Sequence, residues 1–125
     1  MKFNSICLIT KDVQELANFY EKAFQANVEG DKDYMKVFIE GADLSIYSYE
    51  GMERMAPGST KDIGSGSVVI EVEVRDADAE YQRLAKHHIK VLKELTTQDW
   101  GIRSFWFSDP DGNIINFYTN LSTPI

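Results

Sequence analysis

The sequence predicts an α+β fold in which two βαβββ modules form a half-open mixed β-barrel with the helices outside. An internal repeat is the first observation behind this prediction, because residues 6–13 are echoed by residues 70–77 about half a chain later. A strong hairpin signal near residue 110 is the second. Repeats of this size seldom bury an apolar face alone, so both copies are expected within one domain over residues 1–125.

The first module, about residues 1–49, opens with an apolar strand over residues 6–10. Asp12 is expected to cap the following helix, with Glu15 at the third position of a capping box. The predicted inner face of this helix is Val13, Leu16, Ala17, Tyr20 and Phe24. Strands are then expected near Val28, over 35–40 and over 44–49, with a turn at 41–43.

The second module, about residues 67–120, repeats this order. After a strand over 70–74, the predicted inner face of the helix is Ala77, Tyr81, Leu84, Ala85 and His88. Strands are expected over 90–95, 103–107 and 114–118. Asp109 can bond the backbone of the turn before the last strand, where Pro110 presets φ and Gly112 accepts the left-handed conformation, so a hairpin is predicted there.

The segment over residues 50–66 is rich in Gly, Ser and Pro and is predicted to be a loop. It is longer than most connections in a compact domain. Three interpretations stay open: a mobile linker, a flap over a cavity, or a hinge for exchanging halves between subunits. Met52 and Met55 would suit a flap, because methionine adapts to varied apolar ligands.

Charge and cysteine content restrict the partners. The chain has 13 Lys and Arg against 20 Asp and Glu, a net charge of −7, which argues against a nucleic-acid partner. The negative charge is compatible with cationic small molecules as partners. The single cysteine, Cys7, allows no internal disulfide and fits a cytoplasmic location. No signal peptide or membrane-spanning run is recognisable, so no membrane partner is expected.

The segment over 100–118 resembles the C-terminal hairpin of the glyoxalase/bleomycin-resistance/extradiol-dioxygenase superfamily, which has the vicinal oxygen chelate fold. The resemblance lies in Trp100-Gly101 before one strand and in Asp-Pro-Asp-Gly-Asn at 109–113 before the last. The repeat, the strand order and the long linker are similar too. The resemblance implies a metal-dependent isomerase, lyase, epimerase, dioxygenase or thiol transferase, or a metal-free protein that sequesters antibiotics such as bleomycin or mitomycin.

Metal ligands distinguish these classes. The resemblance places the four ligand positions at Ser5, Ser45, Val69 and Asn116, where metalloenzymes of the superfamily mostly have His and Glu. None of the four is a usual ligand for a transition metal, so no metal cofactor is expected unless the alignment register is wrong. Adjacent helix positions point apart, so His87 and His88 are not expected to form a site.

Ten residues are candidates for binding a ligand. Glu71 and Glu73 share one face of their strand, and they are expected to point into the cavity of the barrel. Three roles stay open for them: attracting a basic ligand, acting as general acid and base, or standing in water at the open rim of the barrel. Trp100 would stack on the ligand or fill a core edge, and Arg103 would bind an anion or pair with Glu71. Cys7 is either a reactive thiol or a small apolar group. The full set is Ser5, Cys7, Ser45, Tyr47, Val69, Glu71, Trp100, Arg103, Asn116 and Tyr118.

The sequence therefore predicts a cytoplasmic homodimer that binds a small aromatic or cationic organic molecule without a metal, and possible antibiotic sequestration. An alternative is a glyoxalase-like lyase or isomerase, or a dioxygenase, with atypical metal ligands. A third reading is a regulatory binding module. Trp100 is expected to make the main stacking contact, with Trp106 as a comparison.

Overall fold

A computed structural model describes residues 1–121 and confirms the α+β class. The chain divides into two units, residues 1–65 and residues 66–125, and each unit has its own four-stranded mixed sheet. Both units follow the predicted βαβββ order, and neither sheet closes into a barrel. Within residues 1–121, no helix has the length and apolar character needed to cross a membrane.

Unit 1 contains four strands and two helices. The elements are β1 (Ile6–Thr10), α1 (Val13–Phe24), β2 (Asn27–Gly30), β3 (Tyr34–Ile39), β4 (Ala42–Ser48) and α2 (Tyr49–Met55). The sheet order is β1-β4-β3-β2, and only the β1–β4 pair is parallel. The turn between β3 and β4 is shorter than the predicted turn at 41–43, because Ala42 already pairs with Ile39.

Helix α1 forms as the sequence predicts, with one difference at its cap. The Asp12 carboxylate accepts the Glu15 backbone N–H at 3.0 Å, but the Asp12 N–H donates to Thr10 Oγ1. The reciprocal half of a capping box is therefore replaced by a threonine from the preceding strand. The predicted inner face packs on β3 and β4, with Leu16 and Tyr20 fully buried.

The prediction of a loop over residues 50–66 is wrong for its first part, which forms α2. Ser48 ends β4 and caps α2, since its Oγ accepts the Gly51 N–H at 2.8 Å. A glycine inside a helix normally weakens it, which hid this helix from the sequence pattern. Gly51 is required here because a Cβ at that position would collide with the Tyr47 ring.

Up to residue 121, unit 2 contains four strands and one helix. The elements are β5 (Val69–Glu73), α3 (Ala77–Ala85), β6 (Lys90–Thr97), β7 (Ile102–Ser108) and β8 (Ile114–Asn120), with the sheet order β5-β8-β7-β6. The core beside α3 is aromatic, with the Phe105, Phe107 and Phe117 rings in mutual contact.

The predicted inner face of α3 is only partly correct. Ala77 and Leu84 are buried, but Ala85 and His88 are exposed. The helix ends at Ala85, and His88 has a left-handed φ of 54°, so neither residue continues the helical stripe.

The hairpin between β7 and β8 is confirmed and has a hydrogen-bonded turn. Asp109 is buried, and its Oδ1 accepts the N–H groups of Asp111 and Asn113 at 2.9 Å. Its Oδ2 accepts the Asn113 side-chain amide at 2.8 Å, and Gly112 has φ of 90° as the turn chemistry requires. This turn sets Ser108 opposite Ile114 and so determines the register of the two strands.

Candidate functional site

The sheet of unit 2 has one face against α3 and one face away from it. Arg103 and Phe105 on β7 face the helix: the Arg103 guanidinium pairs with Asp78 on α3, and the Phe105 ring meets the Tyr81 ring at 5.0 Å between centroids. Because side chains alternate along a strand, Trp106 points to the opposite side. We call that side, away from α3, the polar face of unit 2.

Four residues form a row across this polar face, one from each strand, and we call them the polar row. Glu71 pairs with Asn116, Asn116 pairs with Trp106, and Trp106 pairs with Lys93. The Asn116 amide donates to Glu71 Oε2 at 3.4 Å. The Lys93 Nζ lies 5.3 Å from the Trp106 ring centroid, within cation–π range. The row therefore has a carboxylate at one end and an ammonium at the other.

An acceptor in the middle of the polar row has no partner. The Asn116 Oδ1 atom is buried without a hydrogen bond among the described residues. A buried polar atom left without a partner costs free energy, so a donor supplied by a bound molecule would relieve that cost.

Asn116 and Tyr118 share one face of β8, as their two-residue spacing predicts, and the strand register places Glu71 on that face as well. Tyr118 pairs with Glu73 on β5 and with Ser104 on β7, two residues from the polar row along each strand. Val69 lies on the same face but beside Ile114, and its side chain is 54% exposed.

A β-bulge places Lys93 in the polar row. Val91 pairs with Phe107, so an unbroken ladder would set Leu92 opposite Trp106. The register shifts between Val91 and Lys93, and Lys93 takes that place instead. An inserted residue of this kind changes the face to which the following side chains point.

Two sequence predictions differ from this arrangement. The expected pairing of Arg103 with Glu71 is wrong, because Arg103 faces α3 and pairs with Asp78 at 2.7 Å. That contact lowers the pKa of the Asp78 carboxyl, chiefly through the hydrogen bond from Arg103. Trp100 lies in the turn between β6 and β7 and is 68% exposed. It precedes the first residue of β7, Ile102, and so lies outside the polar row.

Sequence reasoning missed Trp106 as a candidate. The run over residues 104–107 has three consecutive aromatic residues, so a two-residue period cannot tell which of them points into the core. A signal was nevertheless present in the hairpin turn. Counting outward from the turn that joins Ser108 to Ile114 places Trp106 opposite Asn116.

Unit 1 has a second polar row on the face of its sheet away from α1. Cys7 pairs with Ser45, Ser45 with Lys36, and Lys36 with Glu29. Ser45 is buried, whereas Cys7 is exposed at the sheet edge. Partial burial raises the pKa of the Cys7 thiol, and a hydrogen bond with Ser45 opposes that rise. Cys7 is therefore a poor nucleophile at neutral pH.

The other candidates of unit 1, Tyr47 and Ser5, lie apart from this second polar row. The Tyr47 ring meets the Tyr34 ring at 5.5 Å, and the Tyr47 hydroxyl donates to Met55 Sδ at 3.4 Å. Ser5 is exposed and precedes β1. Tyr49, which the sequence places on the strand face of Ser45, instead begins α2.

Residues 2–117 match the sequence profile of the Glyoxalase/Bleomycin resistance protein/Dioxygenase superfamily. The chain belongs to this superfamily.

Solved structures agree on the fold of this superfamily. A glyoxalase/bleomycin resistance protein/dioxygenase from Nocardioides is 18% identical, with a TM-score of 0.80 over 99% of this chain and 86% of that chain. A family enzyme from Burkholderia phytofirmans PsJN is 12% identical, with a TM-score of 0.82 over 94% and 98%. A protein of unknown function from Agrobacterium tumefaciens is 24% identical, with a TM-score of 0.79 over 97% and 95%.

The donor chemistry at the superfamily's ligand positions does not fit a divalent metal. Val69 has no donor atom, Ser5 and Ser45 offer neutral hydroxyls, and the Asn116 amide nitrogen is bonded to Glu71. The strand register differs from the predicted alignment here, since Glu71 and not Val69 lies beside Asn116. Among residues 1–121, no three His, Cys, Asp or Glu side chains are grouped to hold a metal ion.

Proposed function

We propose that this superfamily member binds a small planar organic molecule on the polar face of unit 2, without a catalytic metal. The observation that carries the proposal is the position of Trp106 beside the Asn116–Glu71 pair. Tryptophan offers a large apolar plane, and its neighbours offer a hydrogen-bond acceptor and a carboxylate. Ligand sites typically combine an apolar surface with a few polar groups of this kind.

The proposed role of the protein is to sequester its ligand rather than to transform it. At the four ligand positions, this chain lacks the imidazole and carboxylate groups with which superfamily metalloenzymes activate a substrate. The net charge of −7 and the exposed Glu71 favour an aromatic or cationic ligand over a phosphorylated one. A cationic aromatic antibiotic is one such ligand, and a cytoplasmic homodimer is the proposed form.

The role of Trp106 is tested by comparing two tryptophan variants. Stacking on a tryptophan contributes roughly 0.5–2 kcal/mol, so Trp106→Ala should weaken binding about three- to thirtyfold. Trp100→Ala serves as the matched control and should leave the affinity unchanged. A thermal-shift screen of planar amines would supply the ligand, and quenching of intrinsic fluorescence would measure its affinity. Equal losses in both variants, or a loss only in Trp100→Ala, would contradict the assignment.

A further inference from the structure

We infer that the ligand is dipolar, with a cationic group at the Glu71 end of the polar row and an anionic group at the Lys93 end. This inference rests on the proposed function and deepens it, because it specifies the charge pattern of the molecule bound there. The planar body of the ligand would lie across Asn116 and Trp106.

The first argument is the β-bulge in β6. Without the register shift, the apolar Leu92 would stand opposite Trp106 and Lys93 would point toward α3. The bulge instead places an ammonium in a row that otherwise contains only acidic, amide and aromatic groups. Bulges commonly redirect side chains beside functional sites, and this one sets the charge of the Lys93 end.

The second argument is that neither end charge has an oppositely charged partner in the part of the chain that the structure describes. Among residues 1–121, neither Glu71 nor Lys93 forms an ion pair: Glu71 meets the Asn116 amide and Lys93 meets the Trp106 ring. On the α3 side of unit 2, by contrast, the Arg83 and Arg103 guanidinium groups both pair with carboxylates. The charges of the polar row are therefore available to a ligand.

The third argument is distance. Glu71 and Lys93 lie on the outer strands of a four-stranded sheet, three strand spacings apart. At about 4.8 Å for each spacing, the two backbones are roughly 14 Å apart, and the two side chains form no ion pair with each other. A rigid molecule of two linked aromatic rings with a charged group at each end spans much of that distance.

Three probes with the same body test the inference. The dipolar probe is a biphenyl with an aminomethyl group at one para end and a carboxylate at the other. The amine-only and acid-only probes each lack one charged group. Affinities for the wild type, Glu71→Gln and Lys93→Gln are measured by calorimetry, with Glu21→Gln and Lys86→Gln as exposed controls that remove the same charges elsewhere.

The dipolar probe should bind the wild type most tightly. Because the end groups stay partly solvated, each charge contact is expected to contribute about two- to tenfold in affinity. Glu71→Gln should abolish the advantage of the dipolar probe over the acid-only probe, and Lys93→Gln should abolish its advantage over the amine-only probe. Lys93→Glu should turn the preference toward a biphenyl carrying two amines. The control variants should preserve the wild-type order.

Three results would overturn the inference. If the amine-only probe binds in a Trp106-dependent way but Lys93→Gln leaves all affinities unchanged, the dipolar assignment is wrong while the proposed function stands. If no planar probe binds in a Trp106-dependent way, both are wrong. A loss of affinity for all three probes in Lys93→Gln would show that Lys93 only supports the Trp106 ring, which also contradicts the inference.

Discussion

At the scale of single residues, the four positions that we assign to metal ligands determine which chemistry we propose. There, two hydroxyls, a valine and an amide stand in place of imidazole and carboxylate groups. We expect elemental analysis of the purified protein to find no stoichiometric transition metal, and chelator treatment to leave ligand affinity unchanged. One zinc or nickel ion per chain, lost on Asn116→Ala or Glu71→Gln, would show that the ligand positions are misassigned.

Gly51 gives a second prediction at this scale. Replacing a helical glycine with alanine usually stabilises a helix by up to about 1 kcal/mol. Gly51→Ala should instead destabilise the protein, because the added Cβ meets the Tyr47 ring. Overpacking of this kind costs about 1–3 kcal/mol. Gly64→Ala is the control, since nothing lies within 4 Å of its Cβ position. Urea unfolding would measure both, and a stabilised Gly51→Ala would contradict the packing.

At the scale of elements, two carboxylates fix the surroundings of α2: Asp33 attaches the helix to unit 1, and Glu53 attaches the following segment to the helix. Asp33 accepts the Ser48 hydroxyl at 2.8 Å and pairs with Arg54, and these contacts lower the pKa of the Asp33 carboxyl, with the Ser48 bond the larger cause. Glu53 accepts hydrogen bonds from Thr60 and Gly58. These bonds lower the pKa of the Glu53 carboxyl, and the Thr60 bond is the larger cause. Both anchors therefore require the ionised form.

We predict that acid loosens α2 before it unfolds α1. Both folded-state pKa values lie below the unfolded ones, so the stabilisation is complete above the unfolded pKa of about 4 and is lost as the pH falls through the folded values. Amide exchange at Gly51 should accelerate in that range while exchange at Leu16 stays slow. Asp33→Asn should weaken Gly51 protection already at neutral pH, unlike Glu50→Gln on the exposed side of α2. Equal acid responses at Gly51 and Leu16 would contradict the prediction.

At the scale of the whole molecule, each sheet has one protected edge and one unprotected edge. β2 is a four-residue strand that ends at Gly30, and β6 carries two register shifts. β1 and β5 are regular edge strands, with Ile6 49% and Val69 54% exposed. Regular, exposed edge strands favour association, whereas short or bulged ones resist it.

We therefore expect a homodimer formed through a β1 or β5 edge. Sedimentation velocity across a dilution series should show dimers at micromolar concentration, and Ile6→Lys or Val69→Lys should shift the distribution toward monomers. Ile63→Lys is the matched control, because Ile63 is exposed but lies outside both sheets. A strict monomer at high micromolar concentration would contradict the dimer and leave the fold of each unit unaffected.

Much of the fold was predictable from short-range signals. The Asp12 cap, the inner face of α1 and the Asp109 turn are all encoded within a few residues of sequence, and the repeat shows that one module is used twice. Helix α2 was not predictable, because its glycine is explained only by a tyrosine ring from the preceding strand. Arg103 was misplaced for a similar reason, since its partner Asp78 lies on a helix 25 residues earlier.

The sequence by itself determined the superfamily and the two βαβββ units, because residue identities and local patterns carry that information. Only the tertiary structure decided that Lys93 rather than Leu92 stands beside Trp106 and completes the row. The physical reason is the two-residue period of a strand, in which a register shift of one residue exchanges its two faces. That register depends on pairing across the sheet and on packing against α3, which no local stretch of sequence specifies.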